Sequence, residues 1–339
     1  MRANPADDTD MQIPTARWQQ LLSSAISDPA ELIRLLELPV ELVESARRAA
    51  EQFPLRVPMP FIERMRKGDL QDPLLKQVLP LDAELQPVPG FVTDPLAEMQ
   101  NNPHDGLIHK YRGRVLLITT SACAINCRYC FRRHFPYQEN RLGPDQWQRI
   151  LDYIAADDSI HEVLFSGGDP LAAPDGRIAR MLNELAAIAH LRRVRFHSRL
   201  PVVIPQRITD QLIAALTGTR LKPILVLHAN HANEIDAVLS EALQPLRQAR
   251  VPVLNQAVLL KGVNDSVEAL KTLSETLFDA GVLPYYLFVL DPVAGSAHFD
   301  VSDDQARKLF DQLQRQLPGY LVPKLAREIP GEPSKTLLI

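Results

Sequence analysis

From Arg114 onward the chain repeats one pattern six times: a short apolar run, a polar turn, then an amphipathic helical stretch. The runs fall at 115–119, 162–166, 193–198, 222–227, 252–260 and 284–290, and read as buried strands. Helices are expected at 144–156, across Ile178, Met181, Leu182, Leu185 and Ile188, and at 208–216, 234–248, 266–280 and 303–316. Spacers long enough for a helix allow parallel neighbours joined by right-handed crossovers. Nearly every run ends in polar residues, as in Gly167-Gly168-Asp169, His197-Ser198-Arg199, His228-Ala-Asn230 and Asp291. Barrels place their chemistry at such strand ends. The expected fold is α/β, a partial (β/α)6 TIM-like barrel. A doubly wound open sheet is the alternative, but it would gather its polar residues at one switch point.

Upstream, residues 15–53 read as helical, with Trp18, Leu21, Leu22 and Ile26 at helical spacing and Leu32, Leu35 and Leu36 after Asp28-Pro29. Prolines then break the pattern repeatedly as far as Pro103, while apolar residues continue; this reads as an irregular segment wrapped on the core. The organisation expected is an extension over 1–105, a barrel over 106–300 and a C-terminal helix and lysine-bearing segment over 301–339. A net charge of −4 with pI near 6.2 gives no support for nucleic-acid binding. The polar start Met1–Asp10 has no apolar leader, and no apolar run approaches the ~20 residues of a membrane span. A cytoplasmic protein is expected.

All three cysteines lie in one loop, Cys123-Ala-Ile-Asn-Cys127-Arg-Tyr-Cys130, directly after the first run. In a reducing compartment such a group is a metal site. Thiolates select zinc or iron–sulfur clusters. A [4Fe–4S] cluster ordinarily takes four cysteines, so three leave one iron open to an external ligand. Structural zinc completed by His134 is the alternative, as is a non-catalytic zinc adaptor or iron–sulfur carrier.

The spacing of Cys123, Cys127 and Cys130, with Tyr129 before the last, resembles the signature of the radical S-adenosylmethionine enzymes. Several further stretches resemble the lysine 2,3-aminomutase family within them: Arg132-Arg133, Pro201-Val-Val-Ile-Pro-Gln-Arg-Ile208, Asn255-Gln256, Pro284-Tyr-Tyr286 and the tail through Lys335. The resemblance covers residues 72–335. The short C-terminus and the lack of other cysteines resemble the branch that supplies β-lysine for the modification of elongation factor P, which implies a functional link to that factor and its lysyl ligase.

That resemblance implies a radical-SAM barrel with a [4Fe–4S] cluster on Cys123, Cys127 and Cys130, S-adenosylmethionine, pyridoxal phosphate, an external electron donor and L-lysine as substrate. Ser166, Gly167, Gly168 and Asp169 match the family's glycine-rich segment beside S-adenosylmethionine, with Tyr129 as a further cofactor contact; His228, at a strand end on the same face, is a candidate cofactor contact with a structural histidine as the alternative. Lys335 matches the lysine that holds pyridoxal phosphate as an imine, surrounded by Lys110, Tyr111, Arg114 and Gln256. Arg132 matches the clamp for the substrate carboxylate, since a planar guanidinium suits that group; its neighbour Arg133 reads as a surface residue. Asp291 and Glu328 match the acids that receive the ε-ammonium, which favours lysine over glutamate, the alternative substrate. Three positions depart from the family: Lys110 replaces a frequent arginine, Glu328 a usual aspartate, and Pro-Gly-Glu-Pro-Ser a glycine run before Lys335.

Overall fold

The computed structural model describes residues 16–140 and 142–338. The start read above as lacking a leader, Met1–Asp10, lies outside them. One nine-stranded sheet organises the chain: β1 (Leu107–Tyr111), β2 (Arg114–Thr120), β3 (Glu162–Gly167), β4 (Arg193–Ser198), β5 (Lys222–Leu227), β6 (Val253–Val258), β7 (Leu283–Phe288), β8 (Lys324–Arg327) and β9 (Thr336–Leu337). Strand order in the sheet is strand order in the chain, and β2 through β8 are parallel. With no reversal there is no switch point, so the doubly wound alternative falls. The first and last strands do not pair with each other. The result is an open, partial TIM-like barrel.

The six expected runs are β2 to β7. A seventh parallel strand, β8, was not expected, nor were the antiparallel edges β1 and β9. β8 and β9 are four and two residues long, too short to display a period. β1 turns into β2 through Arg112-Gly113, where Gly113 has φ +83°, a conformation glycine takes without strain.

Helices Pro144–Ala156, Asp175–Ala186, Asp210–Thr217, Ala237–Gln248, Val267–Asp279 and Asp303–Gln314 fill the crossovers. Four of them begin on side-chain caps, with Thr209, Asp236, Ser266 and Ser302 each accepting a hydrogen bond from a first-turn N–H. Upstream, Arg17–Ser23, Pro29–Leu35 and Leu42–Gln52 are helical as expected, but Ile26 lies beyond the first helix and bridges Val57 as an extended residue. One apolar core runs from Trp18 to Leu338 and includes the stacked rings of Phe165 and Phe196. The three sections read in the sequence therefore share a core.

The proline-rich segment is tied to the cysteine loop by polar bonds. Asn126 donates to Arg56 and Pro54 carbonyls, and the Arg128 N–H to that of Gln77. Glu84 takes the guanidinium fork of Arg128 at 2.8 and 2.6 Å and that of Arg133 at 2.8 Å. The Arg133 side chain is 1% exposed, so it is an internal strut and not a surface residue. A lone acid 44 and 49 residues upstream of the two arginines carries no sequence signal that would have placed it there.

Candidate active site

The cysteine loop leaves the C-terminal end of β2. Burial pushes the Cys123 thiol well up, and burial with the neighbouring Cys127 raises Cys130 to about 11. A metal that takes them as thiolates must therefore displace protons. Among the described residues no three His, Cys, Asp or Glu side chains converge as they would around a single ion. His134 is exposed, and its Nε2 meets the Ala294 carbonyl at 3.1 Å; the zinc set completed by His134 is not assembled. A cubane asks for a different arrangement, one thiolate on each of three irons.

The glycine turn after β3 is pressed onto this loop. Gly168 donates to the Thr120 carbonyl and Asp169 to that of Ala122, at 2.7 and 2.8 Å. A Cβ on Gly167 or Gly168 would stand 2.7 or 2.5 Å from the Thr120 or Ala122 oxygen. These glycines are required first for the contact between turn and loop. Asp169 is consumed internally: its carboxylate accepts from Leu171 N, Ser198 Oγ, Arg199 N and Leu200 N. Tyr129 accepts from Arg199 and Asn230 through its hydroxyl, with its ring edge-on to Phe299.

A line of alternating charges runs from the loop to the C-terminal segment. Arg132 donates Nε and Nη2 to the two oxygens of Glu98, both at 2.7 Å, and Nη1 to Ser166 Oγ at 2.9 Å. Lys110 lies 3.9 Å from Glu98 and 3.0 Å from Glu328. Glu328 also accepts from Lys335 at 2.6 Å. Burial works against the Arg132 charge, but Glu98 raises its pKa above the usual value. Burial would likewise raise Glu328, yet Lys335 and Lys110 bring it down to about 2. Asp291 goes the other way: burial, with repulsion from Glu328, lifts it to about 7. Two of the family departures, Lys110 and Glu328, are thus each other's partners.

Around Lys335 the surroundings are aromatic. Its Nζ stands 4.9 Å from the Phe288 ring centre and 5.8 Å from that of Tyr111, over which Arg114 lies at 4.6 Å. Burial and the Glu328 carboxylate raise the Tyr111 hydroxyl. Gln256 on β6 is in register with Tyr286 on β7. At the ends of β4 and β5, His197 and His228 meet edge-on at 5.7 Å, each with a buried Nε2 that no atom of the described residues satisfies. Burial holds both neutral, His228 down to about 3. A separate cleft of about 800 Å³, lined by Trp18, Asp175, Asn183 and Gln211, shares no residue with this set.

Residues 117–226 match the radical SAM superfamily. The L-lysine 2,3-aminomutase of Haemophilus influenzae is 52% identical over 94% of this chain and 95% of its own length. That of Escherichia coli is also 52% identical, over 95% and 94%. The enzyme of Clostridium subterminale is 35% identical over 94% of this chain and 76% of its own. The chain belongs to the L-lysine 2,3-aminomutase family. It is thereby an isomerase of the radical SAM class.

Family membership implies a [4Fe–4S] cluster, S-adenosylmethionine and pyridoxal phosphate. The side chains present fit all three. The loop offers three thiols, the glycine turn abuts it, and two orphaned imidazole nitrogens remain inside the barrel mouth. Lys335 has aromatic faces beside it, and two cations stand next to it, Lys110 on Glu328 and Arg114 over Tyr111. Sequence reasoning passed over Glu98, Arg199 and His197 as site residues. Arg199 and His197 stand at a strand end, where polarity was a usable signal; Glu98 lies in the proline-rich wrap, where none exists.

Proposed function

We propose that this chain converts L-lysine to β-lysine by 1,2-migration of its amino group. The observation that carries the reading is the alternating line Arg132–Glu98–Lys110–Glu328–Lys335, with Asp291 beside it. It offers a guanidinium for a carboxylate at one end and two acids for an ammonium at the other, the two charged termini of lysine. When bound, the cluster and S-adenosylmethionine supply a radical, and pyridoxal phosphate carries the migrating nitrogen.

Within that scheme Cys123, Cys127 and Cys130 hold the cluster. Ser166, Gly167, Gly168, Tyr129 and His228 border S-adenosylmethionine, with Asp169 shaping the turn. Lys335 binds pyridoxal phosphate covalently, with Tyr111, Arg114, Gln256 and Lys110 around it. Arg132 receives the α-carboxylate after exchanging Glu98 for it, one bidentate carboxylate for another. Asp291 and Glu328 receive the ε-ammonium; Glu328 already holds two cations, so a third replaces like with like. A glutamate side chain arriving there would meet two acids.

The test is turnover of labelled lysine, glutamate and arginine by protein reconstituted anaerobically with iron and sulfide. β-Lysine should form only with S-adenosylmethionine, a reductant and pyridoxal phosphate all present, and glutamate turned over in preference to lysine would refute the substrate. We further propose a cytoplasmic role, with an external electron donor, supplying β-lysine for elongation factor P. The lack of cysteines outside the loop supports that branch. Adding elongation factor P and its lysyl ligase to the labelled reaction should transfer the label to the factor.

A further inference from the structure

Arg199 stands apart from the substrate line and sits against the cysteine loop. It follows β4, and its backbone N–H is fixed by Asp169 Oδ2 at 2.8 Å. Nη1 donates to the Cys127 sulfur at 2.8 Å and to the Tyr129 hydroxyl at 2.6 Å. Nη2 donates to Gln77 Oε1 at 2.7 Å and to Glu234 Oε2 at 2.9 Å. Glu234 and Gln77 are fully buried, and Arg199 is 4% exposed. The acceptors are themselves held: Glu234 Oε1 takes the Gln77 amide and the Asn230 N–H, and Gln77 Oε1 takes the Asn230 amide. The guanidinium is thereby locked from four directions with one nitrogen aimed at a candidate cluster ligand.

We propose that Arg199 is a positioning residue for the cluster that sets its reduction potential through the Cys127 sulfur, with Glu234 as the counter-charge that limits the effect. The proposal rests on the reading that the three cysteines hold the cluster. Reduction adds one electron, and so one negative charge, to a cluster bound through thiolates. A cation donating a hydrogen bond to one of those sulfurs stabilises the reduced form more than the oxidised form. The shape of arginine matters as well as its charge, because one planar fork reaches the sulfur, the phenol, the amide and the carboxylate together. An ammonium is a point charge and cannot span them.

The experiment is an anaerobic redox titration of the reconstituted holoenzyme without substrate, followed by the paramagnetic signal of the reduced cluster. Iron and sulfide analysis is run on every sample. Arg199→Gln should keep its iron and sulfide while the reduced-to-oxidised ratio at fixed potential falls about tenfold, which for one electron is about 59 mV downward. Arg199→Lys should fall between Arg199→Gln and the wild type. Glu234→Gln leaves the guanidinium without its counter-charge and should move the potential upward, and it serves as the measurement if Arg199→Gln fails to load. Full iron with both potentials unmoved, or both moved the same way, would overturn the proposal alone. A wild type that takes up no iron and sulfide would overturn the cluster reading beneath it.

Discussion

Moving the pH from 6 to 8 should tighten lysine binding about tenfold, and the cause is one carboxyl. Asp291 titrates at about 7, because burial disfavours its charge and Glu328 repels it, while Lys335 and Lys110 pull the other way and Glu98 adds to the repulsion. An ε-ammonium stays protonated throughout this range and binds the ionised acid. Below pH 7 each binding event must first expel a proton from Asp291. With roughly a tenth of the acid ionised at pH 6 and nine-tenths at pH 8, the apparent dissociation constant falls by about a factor of ten. The assay is equilibrium binding of labelled lysine to the protein without pyridoxal phosphate, in which Lys335 keeps the free ammonium that enters this value, so that nothing turns over. Asp291→Asn should bind more weakly at pH 8 and lose this slope, and the wild-type-to-variant ratio cancels titrations elsewhere. A wild-type-to-variant ratio of dissociation constants that stays constant from pH 6 to 8 would refute the reasoning, since the titrating group would then be another one.

Three further outcomes follow from the same geometry. Lys335→Ala should lose both β-lysine formation and the visible absorbance of covalently bound pyridoxal phosphate; turnover at the normal rate would remove Lys335 from the reaction. Glu98→Gln frees the Arg132 fork from its internal carboxylate, and a competing charge-assisted pair of roughly 1.5–3 kcal/mol implies a lysine KM lower by about tenfold or more; an unchanged KM would show that Glu98 and the substrate do not share Arg132. Glu84→Ala leaves the buried guanidinium groups of Arg128 and Arg133 without their acid, so chemical denaturation should show a loss of about 3–5 kcal/mol, and a loss under about 1 kcal/mol would mean that water replaces the carboxylate.

Elements that carry their own period are legible in the sequence: β2 to β7 and their helices lie within a few residues of expectation. The edges are not, because β8 and β9, four and two residues long, are too short to show a pattern and owe their form to pairing with β7 and β8. The same division holds in the site. Cysteine spacing is local, and a metal reads it locally. What Arg132, Arg133 and Glu328 touch is decided by partners 34, 49 and 218 residues away, so the sequence singles out Arg132 by resemblance without its partner Glu98, and reads Arg133 wrongly as solvent-facing.

The proline-rich segment, which reads in the sequence as mere wrapping, is where the site is coupled. Gln77, Glu84 and Glu98 all come from it, and each meets a guanidinium that borders the cysteine loop: Arg199, Arg128 with Arg133, and Arg132. The loop itself contributes cations and thiols but no acid, so its arginines would be buried unpaired without that segment, at a cost of several kcal/mol each. Folding the wrap onto the barrel and setting the charge around the cluster are therefore one event. Because Glu98 also faces Lys110, and Lys110 faces Glu328, the same segment carries the charge pattern on to Lys335. A substitution in residues 77–98 is expected to disturb the two ends of the site together, whereas one in the outer barrel helices should change stability and leave both alone.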